Sequence, residues 1–165
     1  MTNTKYMTDL PKRKRLRLEN YDYSANGAYF ITICTKNNDC PLSKIVGHDA
    51  HIVPQIQLTK TGEIIKKHIE LITGIDCYII MPNHIHMIIV KQNDNNGAMW
   101  ASRPTRISDD IRSFKTVVTK ELGCSIWQTS FYDHIIRNEE DYLIHLQYIE
   151  ENPRKWLMGK DEYYS

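Results

Sequence analysis

Residues 81–90 read Met-Pro-Asn-His-Ile-His-Met-Ile-Ile-Val, and the fold is best worked out from this stretch. A second apolar run, Cys77–Met81, precedes it across the turn-forming pair Pro82-Asn83. Dense apolar runs on either side of a turn signal predict two strands at the centre of a buried sheet. Side chains in a strand alternate between faces, so His84 and His86 lie side by side on the same face.

The histidine pair allows two interpretations. Two neutral imidazoles side by side can bind one divalent cation and leave its other coordination positions open. Partly buried histidines can also be structural, with hydrogen bonds satisfying their rings. The pattern alone favours neither interpretation over the other.

Further strands and loops are predicted on both sides of this stretch. Residues 29–34 are aromatic and β-branched, which indicates a strand. Residues 51–58 alternate well enough for a second, weaker strand despite Pro54. Residues 36–47 are expected to form a loop or loose hairpin, and residues 91–106 a flexible loop, because both are rich in turn-forming residues.

Three helices are predicted from apolar residues at helical spacing. The first runs from Thr61 to about Leu71 and is ended by Gly74. The second runs from about Ser108, its N-cap, to Leu122 and is ended by Gly123. The third runs from about Asn138, its N-cap, to Glu151 and is ended by Pro153. The resulting order, β-(β)-α-β-β-α-α, is typical of an α+β domain built on an antiparallel sheet.

Two polar residues of the last helix share one face. Tyr148 and Asn152 are four residues apart, so they lie one turn from each other. A phenol oxygen can attack phosphorus, and an amide oxygen can coordinate a cation. The chain has 10 tyrosines, however, and an Asn before Pro commonly ends a helix. Packing and helix termination therefore remain alternative roles.

Composition is that of one soluble globular domain: 165 residues, 41% hydrophobic and 25% charged. No apolar run approaches the ~20 residues of a membrane span, and no secretory signal opens the chain, so a cytoplasmic location is expected. The cysteines are scattered, which predicts reduced thiols rather than a metal knuckle. They are Cys34, Cys40, Cys77 and Cys124.

A net charge of +1 argues against a protein that coats nucleic acid over its whole surface. Five basic residues nevertheless cluster near the N-terminus: Lys12, Arg13, Lys14, Arg15 and Arg17. Such a cluster can neutralise phosphates, although many basic tails are only solvated. Residues 1–18 are predicted to be a flexible basic arm, residues 19–157 the folded domain, and residues 158–165 a short C-terminal tail.

Four blocks of sequence between residues 21 and 156 are informative when they are taken in order. They are Tyr-Asp-Tyr…Gly-Ala-Tyr-Phe-Ile-Thr-Ile-Cys-Thr at 21–35, Met-Pro-Asn-His-Ile-His at 81–86, Ser-Phe-Lys at 113–115, and a final block containing Ile-Trp-Gln at 126–128, Phe-Tyr-Asp-His-Ile-Ile-Arg-Asn-Glu at 131–139 and Tyr-Ile-Glu-Glu-Asn-Pro at 148–153. In this order they resemble the single-tyrosine HUH transposases, in particular the REP-associated tyrosine transposases.

The resemblance implies a fold, a site and an activity. The fold is a ferredoxin-like antiparallel sheet with flanking helices and the HUH strand in a central position. His84, His86 and Asn152 would hold Mg²⁺ or Mn²⁺, and Tyr148 would be the nucleophile. The chain would act as a DNA endonuclease and strand transferase on single-stranded or hairpin DNA, through a 5′-phosphotyrosine intermediate.

The expected DNA contacts are weaker inferences. Basic residues could bind phosphates, and aromatic rings could stack on unpaired bases, although solvated surface charge and core packing are the more common roles. The candidates are Lys12, Arg13, Lys14, Arg15, Arg112, Lys115 and Arg137 for phosphates, and Trp127 and Phe131 for bases. Two other functions remain open: a non-catalytic hairpin-DNA-binding relative, and a metal-dependent nuclease without a covalent intermediate. A homodimer and a monomer are both compatible with the sequence.

Overall fold

The computed structural model describes residues 27–36, 41–47, 54–91 and 106–159. These residues form six strands and three helices. The elements are β1 (Gly27–Cys34), β2 (Ser43–Val46), β3 (Gln55–Leu58), α1 (Lys60–Ile69), β4 (Ile75–Ile80), β5 (His84–Lys91), α2 (Ile107–Leu122), β6 (Tyr132–Ile136) and α3 (Glu139–Leu157). The predicted basic arm, Cys40 and most of the predicted C-terminal tail lie outside the described residues. Of the described helices, none combines the length and apolarity needed to cross a bilayer.

The main sheet has four antiparallel strands in the order β4-β5-β1-β6. Helix α1 connects β1 to β4 by way of the hairpin, and α2 connects β5 to β6, so the chain follows the split βαβ path of a ferredoxin-like fold. The HUH strand β5 occupies one of the two central positions. The predicted α+β, ferredoxin-like fold is therefore confirmed.

Strand alternation gives the main sheet two distinct faces. One face packs on α1 and α2 and forms the larger core, with Ile31, Ile33 and Met87 fully buried. The opposite face, which we call the α3 face, carries a smaller cluster in which Phe30 and Ile88 pack against α3. Because His84 and His86 lie an even number of residues from Ile88, they also belong to the α3 face.

A separate two-stranded hairpin, formed by β2 and β3, is attached to the edge of the main sheet. The buried hydroxyl of Ser43 donates a hydrogen bond of 2.8 Å to the carbonyl of Ile80 in β4. Helix α1 follows the hairpin directly, and its N-cap is Thr59, whose side chain accepts from the N–H of Gly62. The hairpin therefore fixes where α1 begins.

Two strands differ from the expectation. Residues 36–47 were predicted as a loop or loose hairpin, but they contain β2, which is only four residues long and partly exposed. The predicted order also lacked β6, because Asp133 and His134 interrupt its apolar pattern. Short or polar strands acquire their structure from pairing partners, and a single segment does not show these. The weaker strand predicted at 51–58 is present as Gln55–Leu58 within the described residues.

Two helix ends also differ. The N-cap of α2 is Arg106 and not Ser108, and Arg106 makes no capping hydrogen bond through its side chain. Pro153 does not end α3, which continues to Leu157. Proline removes one backbone hydrogen bond from a helix, and here Pro153 is buried, so its packing acts against that loss. Gly123 ends α2 in the left-handed conformation, as predicted.

Of the four cysteines, the three in the described residues are free thiols, as their spacing predicted. They are Cys34, Cys77 and Cys124.

Candidate active site

The two histidines of β5 lie together on the α3 face of the sheet. Both side chains are fully buried, and their ring centroids are 4.5 Å apart. The predicted geometry of two imidazoles side by side is therefore present. Their cover is α3, since the ring of Tyr148 lies against His86 and the ring of Trp156 lies 6.0 Å from His84.

One nitrogen of each imidazole is held by a neighbouring polar side chain. Nδ1 of His84 donates to Oδ1 of Asn83 at 2.9 Å, and Nδ1 of His86 lies 2.8 Å from the hydroxyl of Thr32. With Nδ1 engaged, Nε2 is the nitrogen that each ring would offer to a cation. Ligands fixed in this way are typical of metal sites, because the outer hydrogen bond sets the tautomer and orientation of the ring.

Thr32 and Asn83 had no predicted role. Asn83 is adjacent to His84, so its contact could have been inferred from the turn that precedes the strand. Thr32 could not, because it meets His86 only through the antiparallel register of β1 and β5, which pairs the two residues directly. Pairing register depends on the whole sheet rather than on one segment.

Burial keeps both imidazoles neutral. It lowers the pKa of His84 to about 4, and the nearby side chain of Asn152 acts in the opposite direction. Burial also lowers the pKa of His86 well below its usual range, and the nearby His84 adds to this effect. Near neutral pH both rings are therefore in the unprotonated form, which is the form that can coordinate a metal.

Tyr148 lies directly against this pair. Its ring centroid is 5.1 Å from that of His86 with the planes at 73°, and 5.9 Å from that of Phe30 in an edge-on contact. The Nζ of Lys155 sits 5.0 Å from the Tyr148 centroid, and the same ammonium pairs with Glu151 at 3.1 Å. The ring is half-buried and its hydroxyl oxygen is buried. Tyr148 is thus placed at the histidines and not in the separate core on the other face.

Asn152 completes the group. Its side chain is fully buried one turn after Tyr148, and it lies close enough to His84 to raise the pKa of that imidazole. The structure therefore brings together the predicted nucleophile, Tyr148, and the three predicted metal ligands. Two imidazole nitrogens and an amide oxygen are donors that suit a divalent cation.

The predicted phosphate-binding residues lie away from this group. Arg112 is exposed on α2, on the opposite side of the sheet, and lies 3.7 Å from Asp109. Arg137 is exposed just after β6. Tyr132 is level with His86, because both residues pair with Thr32 of β1. Arg137 follows Tyr132 by five residues, so it lies roughly 17 Å along the sheet from His86. Both side chains are open to solvent, and phosphate binding by them stays a prediction.

Two other predicted DNA contacts have partners within the protein. The ammonium of Lys115 donates to the carbonyls of Gln128 and Ser130, both at 3.0 Å, and lies over the ring of Phe131. Burial lowers the pKa of Lys115. The indole of Trp127 is buried against Phe114, with ring centroids 5.7 Å apart. These contacts fit packing and loop anchoring, and DNA contact by Lys115 or Trp127 is untested. The predicted arm residues, Lys12, Arg13, Lys14 and Arg15, lie outside the described residues.

Comparison with known proteins adds independent information. No family model matches the chain. An uncharacterized protein of Haemophilus influenzae is 35% identical over 176 residues, covering 93% of this chain and 94% of that protein. A REP-associated tyrosine transposase of Escherichia coli is 28% identical over 136 residues, covering 81% of this chain and 70% of the relative. A putative REP-associated tyrosine transposase of Haemophilus influenzae is 35% identical over 82 residues, covering 46% of this chain and 47% of the relative.

A solved structure has the same fold. The structure of a REP-associated tyrosine transposase bound to a REP hairpin matches with a TM-score of 0.60 and 24% sequence identity. The match covers 85% of this chain and 74% of that chain. At this level of identity the likeness shows a shared architecture.

Proposed function

The chain belongs to the REP-associated tyrosine transposase family, and from that premise we propose that it cleaves and rejoins single-stranded or hairpin DNA with Tyr148 as the nucleophile. The observation that carries the proposal is the contact of the Tyr148 ring with His86, at 5.1 Å between centroids. The same helix places Asn152 one turn from Tyr148, so a phenol and an amide from α3 both lie at the imidazole pair.

The proposed reaction is a transesterification at phosphorus. The Tyr148 oxygen loses its proton and forms a bond to the scissile phosphorus, while the bond from phosphorus to the 3′ oxygen breaks. That oxygen takes up a proton and leaves as a 3′-OH, and the DNA 5′ end remains attached to Tyr148. Attack by another 3′-OH reverses the step on a new strand. Bond energy is conserved throughout, so no external energy source is needed.

His84, His86 and Asn152 are the proposed ligands of Mg²⁺ or Mn²⁺. Such a cation, when bound, supplies positive charge where negative charge grows on the phosphate oxygens. The task of the protein is orientation. Asn83 and Thr32 fix the two rings, and α3 holds Asn152 one turn from Tyr148, so that ligand and nucleophile belong to one rigid helix.

Burial of the group has a consequence for the proposed reaction. The hydroxyl of Tyr148 and the side chains of His84, His86 and Asn152 are all buried. A DNA phosphate can reach them only if side chains around the site move apart. Because α3 supplies Tyr148 and Trp156 to the cover, we expect this helix or its side chains to shift when DNA binds.

The proposed substrate class rests on the relatives. One solved relative is bound to a REP hairpin, and we propose a DNA hairpin as the substrate of this chain as well. Arg112, Arg137 and the basic N-terminal residues are proposed to contact its phosphates. These contacts would set affinity and register, and would show a steep dependence on salt concentration.

A covalent-adduct assay tests the proposal. The full-length protein is incubated with Mn²⁺ and a 5′-extended hairpin oligonucleotide labelled on the 3′ side of the cleavage region, then denatured and separated by electrophoresis. We expect a denaturation-resistant protein–DNA adduct that Tyr148→Phe abolishes. The matched control is Tyr142→Phe on the same helix, whose hydroxyl bonds to Asp76, and which should still form the adduct.

The other outcomes identify the alternatives. Cleavage that survives Tyr148→Phe would contradict a tyrosine nucleophile and indicate a hydrolytic nuclease. Hairpin binding without cleavage in any metal would contradict an enzymatic role and indicate a binding module. Adduct formation by Tyr148→Phe would show that a different tyrosine attacks.

A further inference from the structure

A second group of metal-binding residue types lies on the α3 face, apart from the four residues above. It consists of His134 on β6 with Asp141 and His145 on α3, which we call the His-Asp-His cluster. Nε2 of His134 lies 3.0 and 3.1 Å from the two carboxylate oxygens of Asp141. Nδ1 of His145 lies 3.1 Å from one of the same oxygens. One potential ligand atom from each residue can be chosen so that all lie within 4.8 Å of one another.

The fold itself assembles this cluster. Alternation along β6 directs His134 towards α3 while its neighbours Asp133 and Ile135 face the other way. Asp141 and His145 are four residues apart on α3 and so share a helix face. The backbone N–H of Arg137 also donates to Asp141, which fixes the carboxylate at the junction between β6 and α3.

We propose that His134, Asp141 and His145 bind a second divalent metal ion, and that zinc is the ion they suit best. Two imidazoles and one carboxylate form a common three-residue ligand set for zinc, with a further position left for water. Zinc ligands lie at about 2.0–2.2 Å, which places neighbouring donors of one ion about 3.3–3.6 Å apart. The Asp141 contacts of both rings are already close to that separation. The ion would take the place of the contacts that now join the two imidazole rings to the Asp141 carboxylate.

One local rearrangement is required. Nδ1 of His145 also lies 2.7 Å from the backbone carbonyl of Asp141, and it would exchange this contact for the ion. The rings of His134 and His145 are stacked, with centroids 4.5 Å apart and planes at 22°. Rotation about the side-chain torsions of His145 changes both contacts without moving the helix. The cost is one intrahelical side-chain hydrogen bond.

The cluster is accessible and separate from the pair on β5. The side chains of His134, Asp141 and His145 are 33%, 21% and 17% exposed, so an ion can enter from solvent. The ring of Phe30 lies between the two groups, 4.7 Å from that of His145 and 5.2 Å from that of His86. An apolar ring at this place prevents the two groups from sharing a donor. Each would therefore bind its own ion.

Binding here would also act on the proposed nucleophile helix. The ion would join β6 to the first two turns of α3, and His145 precedes Tyr148 by only three residues. A bound zinc would therefore stabilise the docking of α3 on the sheet. It would raise the unfolding temperature whether or not the protein cleaves DNA, because a ligand that binds only the folded state stabilises it.

Zinc titration of full-length variants tests the proposal. In His84→Gln/His86→Gln, which removes the β5 pair, we expect one equivalent of zinc to bind and to raise the unfolding temperature. Adding His145→Gln or, separately, the nearly isosteric Asp141→Asn should weaken that binding by about 100-fold or more. The matched control is His68→Gln, since His68 also contacts a carboxylate, that of Glu121 at 2.6 Å, in a different part of the fold. It should leave zinc binding unchanged.

Cobalt gives a second readout. Co²⁺ added to His84→Gln/His86→Gln should give the visible absorption of a protein-bound ion with few ligands, and Asp141→Asn should remove it. The proposal is overturned if the double variant binds no zinc, or if it binds zinc equally well with Asp141→Asn and with His145→Gln. Circular dichroism of each variant without metal establishes that it is folded. The adduct assay for Tyr148 is independent of all these results.

Discussion

Thr32 and His86 are directly paired across β1 and β5, and the Thr32 hydroxyl lies 2.8 Å from Nδ1 of His86. Both side chains are buried, so the contact is shielded from competing water. It fixes the plane of an imidazole that is surrounded otherwise by Phe30, Tyr148 and His84. The orientation of one proposed metal ligand therefore depends on a residue from a strand more than fifty positions away in sequence.

The first prediction follows from this contact. Thr32→Val keeps the shape of the side chain and removes the hydroxyl, so His86 loses the bond that orients it. We expect Mn²⁺ affinity, measured by titration calorimetry, to fall about 10–100-fold while the fold is retained. Thr116→Val is the control, because the Thr116 hydroxyl bonds to the Arg112 carbonyl on the exposed side of α2. Equal Mn²⁺ affinity in Thr32→Val and wild type would show that Thr32 does not orient the ligand.

Asn152 gives the second prediction. Its fully buried amide is proposed as a cation ligand, so Asn152→Asp would place a carboxylate oxygen where a neutral oxygen now lies. Without metal the buried charge should lower the unfolding temperature, because an ionised carboxylate is costly to bury. With Mn²⁺ the loss should be largely restored, since the ion compensates the charge. A melting temperature that Mn²⁺ does not raise in Asn152→Asp would argue against Asn152 as a ligand. So would an Mn²⁺-dependent rise in Asn152→Leu as large as that of wild type.

Much of the fold could be predicted from single segments. The two-residue period of 81–90 places His84 and His86 on one face, and the structure shows them there. The four-residue spacing of Tyr148 and Asn152 likewise places both on one face of α3. These predictions hold because they depend only on the geometry of one strand or one helix.

The features that were missed depend on contacts between segments. The strand β2 exists because β3 pairs with it, and Ser43 ties it to β4. Helix α3 continues through Pro153, which is buried within the folded domain. The contact of Thr32 with His86 requires the register of the sheet. Local propensity carries none of this information, since tertiary packing overrides it.

The third prediction concerns acid stability. Hydrogen bonds from Lys67 and then His68 lower the pKa of Glu121, and these contacts join α1 to α2. A carboxyl with a lowered folded-state pKa contributes stability above its unfolded pKa, and this contribution is lost as the pH falls through the folded value. Glu121→Gln should therefore flatten the decline of unfolding temperature between about pH 5 and pH 3.

The control for this prediction is Glu150→Gln, an exposed glutamate on α3. High salt should reduce the effect of Glu121→Gln, because the pair is exposed and screened by ions. If Glu121→Gln and wild type lose stability in parallel on acidification, the contacts between α1 and α2 do not contribute to acid stability.

The fourth prediction compares two glycines with left-handed backbone, Gly74 at φ 83° and Gly123 at φ 72°. A Cβ on Gly74 would lie 2.1 Å from the carbonyl oxygen of Val90, whereas a Cβ on Gly123 would meet nothing within 4 Å.

Gly123→Ala should cost only the strain of the left-handed conformation, about 1–2 kcal/mol. Gly74→Ala adds a backbone clash beside β5, because the N–H of Val90 bonds to the Gly74 carbonyl at 2.7 Å. We expect its loss in free energy of unfolding, measured by urea denaturation, to exceed that of Gly123→Ala by about 1–3 kcal/mol. Equal losses would mean that the turn before β4 moves aside without disturbing the strand that carries the histidines.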